Sequence, residues 1–410
     1  MADLGLRLTS AFGLVAMVGL AWLGSEHRRR VPWRVILWGL GLQLGLALLL
    51  LETAPGRAFF LGVNDLVLGL LGFTEAGTLF MFGPIKKLGF SFVLDVLPII
   101  LFMGSLFSIL YHWGVVQRVI DAMARVLHLT LRTSAAESLA AAANVFVGMT
   151  EAPLLVRPYL ERMTRSELFT VMVTGMATIA GSVLVAYAKM LGGGEFAGHL
   201  IAASLLSAPA AILVAKVMIP ETETPLTAEA GHAAVEQSAV NWIDAASQGA
   251  LAALRLAGYV GALLLTFVSM VALVNALLSA VGGLFGAPEL TLQQVLGLVF
   301  WPLALLLGVA PGESFQVAQL LGVKTVLNEF LAFDQLGRAI ASGEISHRSA
   351  VISSYALCGF ANFGSLAILL GGLGGMAPSR RPELAALGLR SIVAGTLATL
   401  MTGCIAGILL

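Results

Sequence analysis

Eight apolar runs of near-bilayer length dominate this chain and leave it few folds to adopt. They lie near 8–24, 32–51, 92–112, 167–191, 197–219, 250–281, 347–373 and 384–409. A helix needs roughly 20 apolar residues to cross the hydrocarbon. Inside it, backbone amides must be paired within the segment, so such runs fold as helices. Composition agrees, with 58% hydrophobic and 11% charged residues, against about 25% charged in soluble domains. The expected fold is an all-α polytopic membrane protein in a lipid bilayer. Net charge is zero, so nothing points to nucleic acid. Cys358 and Cys404 both sit in apolar runs and read as small buried residues, not a disulfide framework. The first run precedes a basic cluster and reads as a retained span, not a cleaved signal.

Three further regions fit a simple span poorly. Residues 56–84 are apolar but rich in Gly, with Asp65 and Glu75 inside, the pattern of an interfacial helix. Residues 136–163 and 291–335 are long, contain acids and are interrupted by Gly or Pro. They read as re-entrant helical hairpins. Each hairpin is followed by two spans, and a polar linker from Pro220 to about Ser238 separates the two sets. The chain thus divides into 1–135 (spans 1–3 with interfacial helices, scaffold) and 136–219 (first hairpin with spans 4–5). Then follow 220–281 (linker, interfacial helix and span 6, scaffold) and 282–410 (second hairpin with spans 7–8). Hairpins entering from opposite sides make an inverted repeat, the plan of many secondary transporters.

Lys and Arg set the orientation. With the loop of Arg28, Arg29, Arg30 and Arg34 in the cytoplasm, fifteen of the 23 cations fall on that side and seven outside, Lys86 and Lys87 among the seven. This places both termini outside.

Four polar clusters interrupt the apolar background. They are Asn144-Val145-Phe146-Val147-Gly148-Met149-Thr150-Glu151-Ala152-Pro153, Thr174 to Val183, Lys324-Thr325-Val326-Leu327-Asn328-Glu329, and Cys358 to Ser365. A carboxylate in hydrocarbon costs several kcal/mol, so Glu151 and Glu329 read as functional. Carboxylates, amides and hydroxyls with little positive charge suit a neutral, polyhydroxylated ligand. Phe360 and Phe363 are placed to flank a planar ring. Asn144 and Thr178 are hard oxygen donors of the kind that hold Na⁺. Plainer readings stand beside these. Ser and Thr in membrane helices bond the preceding turn. Asn328 ties two helices, Phe363 packs, and Lys324 neutralises an acid. Glu137, Glu161 and Glu167 read as membrane-surface residues. The six histidines lack metal spacing.

These motifs together resemble concentrative nucleoside transporters, across nearly the whole chain and in order. The resemblance implies eight spans, two re-entrant hairpins, a homotrimer in the bacterial inner membrane, and nucleoside uptake coupled to Na⁺ or, in some members, H⁺. It implies that Glu329, Asn362 and Ser365 bind ribose hydroxyls. Met149, Thr150, Glu151 and Val183 would contact the base, and Phe360 would pack on the nucleoside. Asn144 and Thr178 by side chain, with Val147 and Ile179 by carbonyl, would hold Na⁺, the coupling ion; no other cofactor is implied. Many members carry Gln where this chain has Met149, and purine-preferring animal members carry Gly-Met. Ser182-Val183 instead resembles broad or pyrimidine-accepting members. The expectation is broad specificity with good purine acceptance. Rival readings are a proton-coupled symporter, an intramembrane enzyme acting on lipid-linked substrates, and a passive channel.

Overall fold

The computed structural model describes residues 2–83, 85, 91–227 and 239–410. Lys86, Lys87, His232 and residues 228–238 of the linker lie outside the described residues. In chain order the helices are α1 (Ala2–Leu23), α2 (Trp33–Glu52), α3 (Ala54–Phe82), α4 (Phe92–Asp95), α5 (Leu97–His112), α6 (Val115–Leu131) and α7 (Ala135–Asn144). A 3-10 helix (Ala152–Arg162) precedes α8 (Arg165–Ala177), α9 (Gly181–Met190), α10 (Glu195–Met218) and α11 (Trp242–Leu284). Then come α12 (Leu292–Leu306), α13 (Ser314–Val326), α14 (Glu329–Ser342), α15 (His347–Leu357), α16 (Phe363–Met376) and α17 (Arg381–Leu409). No strand occurs among the described residues.

Eight helical segments among the described residues are long and apolar enough to cross a membrane. Two differ from the sequence expectation. The Gly-rich run at 56–84 forms α3, a single 29-residue helix that meets this criterion. Its start is fixed by Thr53, whose hydroxyl accepts from the Gly56 N–H at 3.1 Å. Conversely, 347–373 is not one helix: it breaks between α15 and α16. The second hairpin also shifts. Its arms are α13 and α14, while α12, expected as its first arm, is a separate helix. The cause is the run Gly308-Val309-Ala310-Pro311-Gly312, where Gly308 takes φ +73° and ends the preceding helical turn.

The core is the hairpin-and-broken-span assembly. Of the most apolar window in each, 94% of α8–α9, 89% of α10 and 83% of α17 is buried, but only 6% of α11. The long α11 is therefore an outer wall. The two hairpins enter from opposite ends. At one end Arg165 bridges Glu26 at 2.9 Å, Arg380 donates to the Met163 carbonyl, and Lys216 pairs with Glu137. At the other end Arg7 reaches the Leu410 carbonyl, Arg348 reaches Gly407, and Glu313 accepts from the Ser346 hydroxyl. Helix α1 runs from the second end, where Ser10 bonds the Leu307 carbonyl, to the first, where the Glu26 N–H bonds the Met218 carbonyl.

Helix starts on the first side are built by capping boxes, which satisfy otherwise orphaned amides. Ser134 and Glu137 cap α7, and Thr164 and Glu167 cap α8. Glu137 and Glu167 were expected at the membrane surface. They lie at this end of the molecule and are buried within the protein, because each carboxylate is consumed by its cap and a further partner: Lys216 for Glu137, the Thr227 hydroxyl for Glu167. Glu161 is exposed and accepts from Ser379.

Candidate functional site

The site is assembled where four chain breaks meet. Helix α7 stops at Asn144, and Gly148 to Pro153 turns the chain into the 3-10 helix. Span 4 stops at Ala177 and resumes at Gly181, with Thr178 in extended conformation (φ −117°, ψ 166°). The Gly181 N–H donates to the Phe146 carbonyl at 3.1 Å, tying the break to the hairpin tip. Glycine is required there: a Cβ would stand 2.7 Å from the Phe107 ring and 3.1 Å from that carbonyl. In the second half, a Cβ on Gly359 would stand 3.0 Å from the Met176 and Ala177 carbonyls. The two broken spans therefore touch at their breaks.

Around the first tip lies a nest of oxygen atoms. The Asn144 amide donates to the Ala140 carbonyl at 2.9 Å and to Thr174 Oγ1 at 3.2 Å. Its Oδ1 is buried and accepts no hydrogen bond among the described residues. A buried acceptor left unpaired costs roughly 1–3 kcal/mol unless a cation or donor meets it. Thr178, also buried, donates to the Thr174 carbonyl at 2.8 Å, which leaves its lone pairs available. Thr170, Thr174 and Thr325 bond the preceding turn as well. Ile179 is fully buried and Val147 partly so. This donor set is chemically suited to a hard monovalent cation.

The second tip holds a carboxylate. Glu329 opens α14 and is buried. Its Oε1 accepts from the Tyr187 hydroxyl at 2.9 Å and its Oε2 from the Asn362 amide at 2.7 Å. Asn362 acts twice, since its Oδ1 also accepts from the Ser365 N–H at 2.8 Å and so caps α16. Asn328 likewise caps α14 through the Leu331 N–H, and it does not tie two helices as expected. Lys324 meets no acid by hydrogen bond: its amine donates to the Ala356 carbonyl at 2.9 Å and to Thr399 at 2.8 Å. Both are neutral oxygens, the first on α15 just before the break in span 7 and the second on α17.

A cavity opens between the two tips, with about 780 Å³ of free space including its open mouth. Met149, Thr150, Glu151, Val183, Glu329, Phe360, Asn362 and Ser365 all line it. The Glu151 carboxylate folds back over Gly148, where any side chain would collide with it. Three helix N-termini, those of α9, α14 and α16, contribute lining residues. They bring partial positive charge to a cavity without a lining Lys or Arg. Phe363 does not line the cavity and is half exposed. Besides Phe360, the lining aromatics are Phe330 and Phe267, the latter of which with Leu256, Val260 and Leu263 comes from α11. Span 6 was expected to be scaffold alone, and in an apolar helix no residue type distinguishes a cavity wall from a lipid-facing one.

Residues 12–85 match the profile of the Na⁺ dependent nucleoside transporter N-terminus, 93–194 that of nucleoside recognition, and 199–407 that of the Na⁺ dependent nucleoside transporter C-terminus. The chain belongs to the Na⁺ dependent nucleoside transporter family. An uncharacterized transporter of Haemophilus influenzae is 44% identical over 98% of this chain and 97% of its own. Solute carrier family 28 member 3 of Mus musculus is 43% identical over 98% of this chain, which spans 59% of that longer protein. A structure of CNTnw in an inward-facing substrate-bound state superposes with a TM-score of 0.92 at 41% identity, covering 98% of both chains. The family member described here is therefore a membrane transporter and not an enzyme, with the eight-span, two-hairpin inverted-repeat fold.

Proposed function

We propose that this transporter imports nucleosides across the bacterial cytoplasmic membrane by Na⁺-coupled symport, with broad base specificity and good purine acceptance. The observation that carries the reading is the convergence of eight residues from both hairpins and both broken spans on one cavity. Na⁺ binds Asn144 Oδ1, Thr178 Oγ1 and the Val147 and Ile179 carbonyls. This supplies the missing partner of a buried oxygen and orders the first tip, bringing Thr150 and Glu151 to the base. Val183 and Met149 complete the base pocket, and Met149 offers adaptable apolar surface where an amide would read one base edge. The ribose lies between Glu329, Asn362 and Ser365, with Phe360 packed on the nucleoside. A carboxylate hydrogen-bonded to a hydroxyl is worth about 1.5–3 kcal/mol, so Glu329 is the largest single anchor.

Segments 136–219 and 282–410 carry the site and move against 1–135 and 220–281, in a homotrimer with both termini outside. The orphaned Oδ1 of Asn144 favours Na⁺ over H⁺, because a proton on Glu151 would leave it unpaired. Uptake into vesicles with a Na⁺ gradient and no pH gradient tests this. Accumulation of labelled uridine supports Na⁺ coupling. Uptake that follows only a pH gradient, or non-saturable leakage, refutes it.

A further inference from the structure

We propose that Tyr187 is a positioning residue for nucleoside recognition: its hydroxyl aims the Glu329 carboxylate at the ribose. Tyr187 is fully buried and does not line the cavity. It lies on α9 one turn beyond Val183, on the same face. Its ring stacks on Phe333 (centroids 4.5 Å apart, planes at 19°) and meets Phe330 edge-on at 4.8 Å. Both of these rings belong to α14, the helix that Glu329 opens. The phenol is thereby clamped, and its O–H donates to Glu329 Oε1. Asn362 holds Oε2. With one donor on each oxygen, the carboxylate plane cannot turn, and each oxygen keeps a lone pair for a ribose hydroxyl.

Tyr187 also joins the two halves of the molecule. Glu329 and Asn362 both belong to the second repeat, so Tyr187 is the donor that reaches the carboxylate from the first. The helix that carries it begins at Gly181, whose N–H is tied to the tip of the first hairpin. Less than two turns separate that tie from the phenol. An aligned carboxylate satisfies the general requirement that a binding group be held by a supporting shell.

The proposal rests on the ribose role given to Glu329 above, and the test separates the two. Binding of uridine and of its 2′-deoxy and 3′-deoxy analogues is measured on the purified transporter and on Tyr187→Phe, in saturating Na⁺. Phe keeps the stack and removes only the hydroxyl. A carboxylate that has lost its aim no longer rewards the hydroxyl it reads. We expect uridine affinity to fall roughly tenfold, and the wild-type penalty for the missing hydroxyl to shrink severalfold toward none. A purely structural role would weaken all three ligands alike and leave the penalty unchanged, which overturns the proposal, as does unchanged binding of uridine. Should Tyr187→Phe fail to yield folded protein, Phe333→Leu loosens the clamp while keeping the hydroxyl, and the same shrinkage, smaller in extent, is expected. A wild type indifferent to both hydroxyls would instead refute the reading of Glu329.

Discussion

At the scale of single residues, polar groups declared themselves because hydrocarbon penalises them. Glu151, Glu329, Asn144 and Asn362 stand out in an apolar chain for that reason, and Asn144 and Thr178 do cluster at one break. Tyr187 gave no such signal, since a tyrosine in a membrane helix is ordinary until its partner is known. Two substitutions follow. Glu329→Ala removes the anchor shared by every nucleoside, so uptake of uridine, cytidine, adenosine and guanosine should fall together by two orders of magnitude or more, given the roughly 1.5–3 kcal/mol of each charged hydrogen bond. Loss confined to one base class would contradict the ribose role. Met149→Gln exchanges adaptable apolar surface for an amide at a cavity-lining position. Competition uptake should then show the uridine-to-adenosine preference rising several-fold, and an unchanged ratio would show that Met149 does not set base choice.

At the scale of elements, capping boxes fix where the helices of the first repeat begin, and one of them carries a buried charge. Glu137 accepts from the Ser134 N–H at 3.0 Å while pairing with Lys216, and both side chains are buried. Lys216 also donates to Ser166 at 3.0 Å and meets Glu221 at 3.4 Å. Glu137→Gln should therefore cost about 3 kcal/mol, the low end for breaking a buried pair because Glu221 remains. A thermal-shift measurement in detergent checks this; an unchanged midpoint would mean the pair is already solvated. The boundaries of elements were less legible than their existence. Hairpin 1 was readable because Gly148 and Pro153 flank its acid. The start of hairpin 2 was misjudged because α12 and α13 are both apolar, and only the short run 307–313, with its left-handed Gly308, separates them. The burial of Glu137 and Glu167 was missed because a capping box looks, in sequence, like any surface Ser-x-x-Glu.

At the scale of the whole molecule, contacts between distant segments decide behaviour. Glu26, in the loop after α1, is hydrogen-bonded by Arg165 and approached by Arg390, which holds its carboxyl below the usual range. A group with a lowered folded-state pKa contributes stability that is present above its unfolded value and is lost as pH falls through the folded one. Melting temperature should thus drop on acidification below about pH 4.5, and Glu26→Gln should flatten that limb while lowering stability at neutral pH by about 1 kcal/mol. The same reasoning by linkage applies to the transport cycle. If Na⁺ at Asn144 orders the first hairpin tip for the nucleoside, the factor by which saturating Na⁺ raises nucleoside affinity must equal the factor by which saturating nucleoside raises Na⁺ affinity. Calorimetric titration in both directions on the same preparation should return one value. Asn144→Ala removes the acceptor that awaits the ion, so this factor should collapse toward 1. The affinity measured without Na⁺ should stay near that of the wild type, because Asn144 does not line the cavity. Equal weakening with and without Na⁺ would instead mean that Asn144 only supports the tip, and that the ion binds elsewhere.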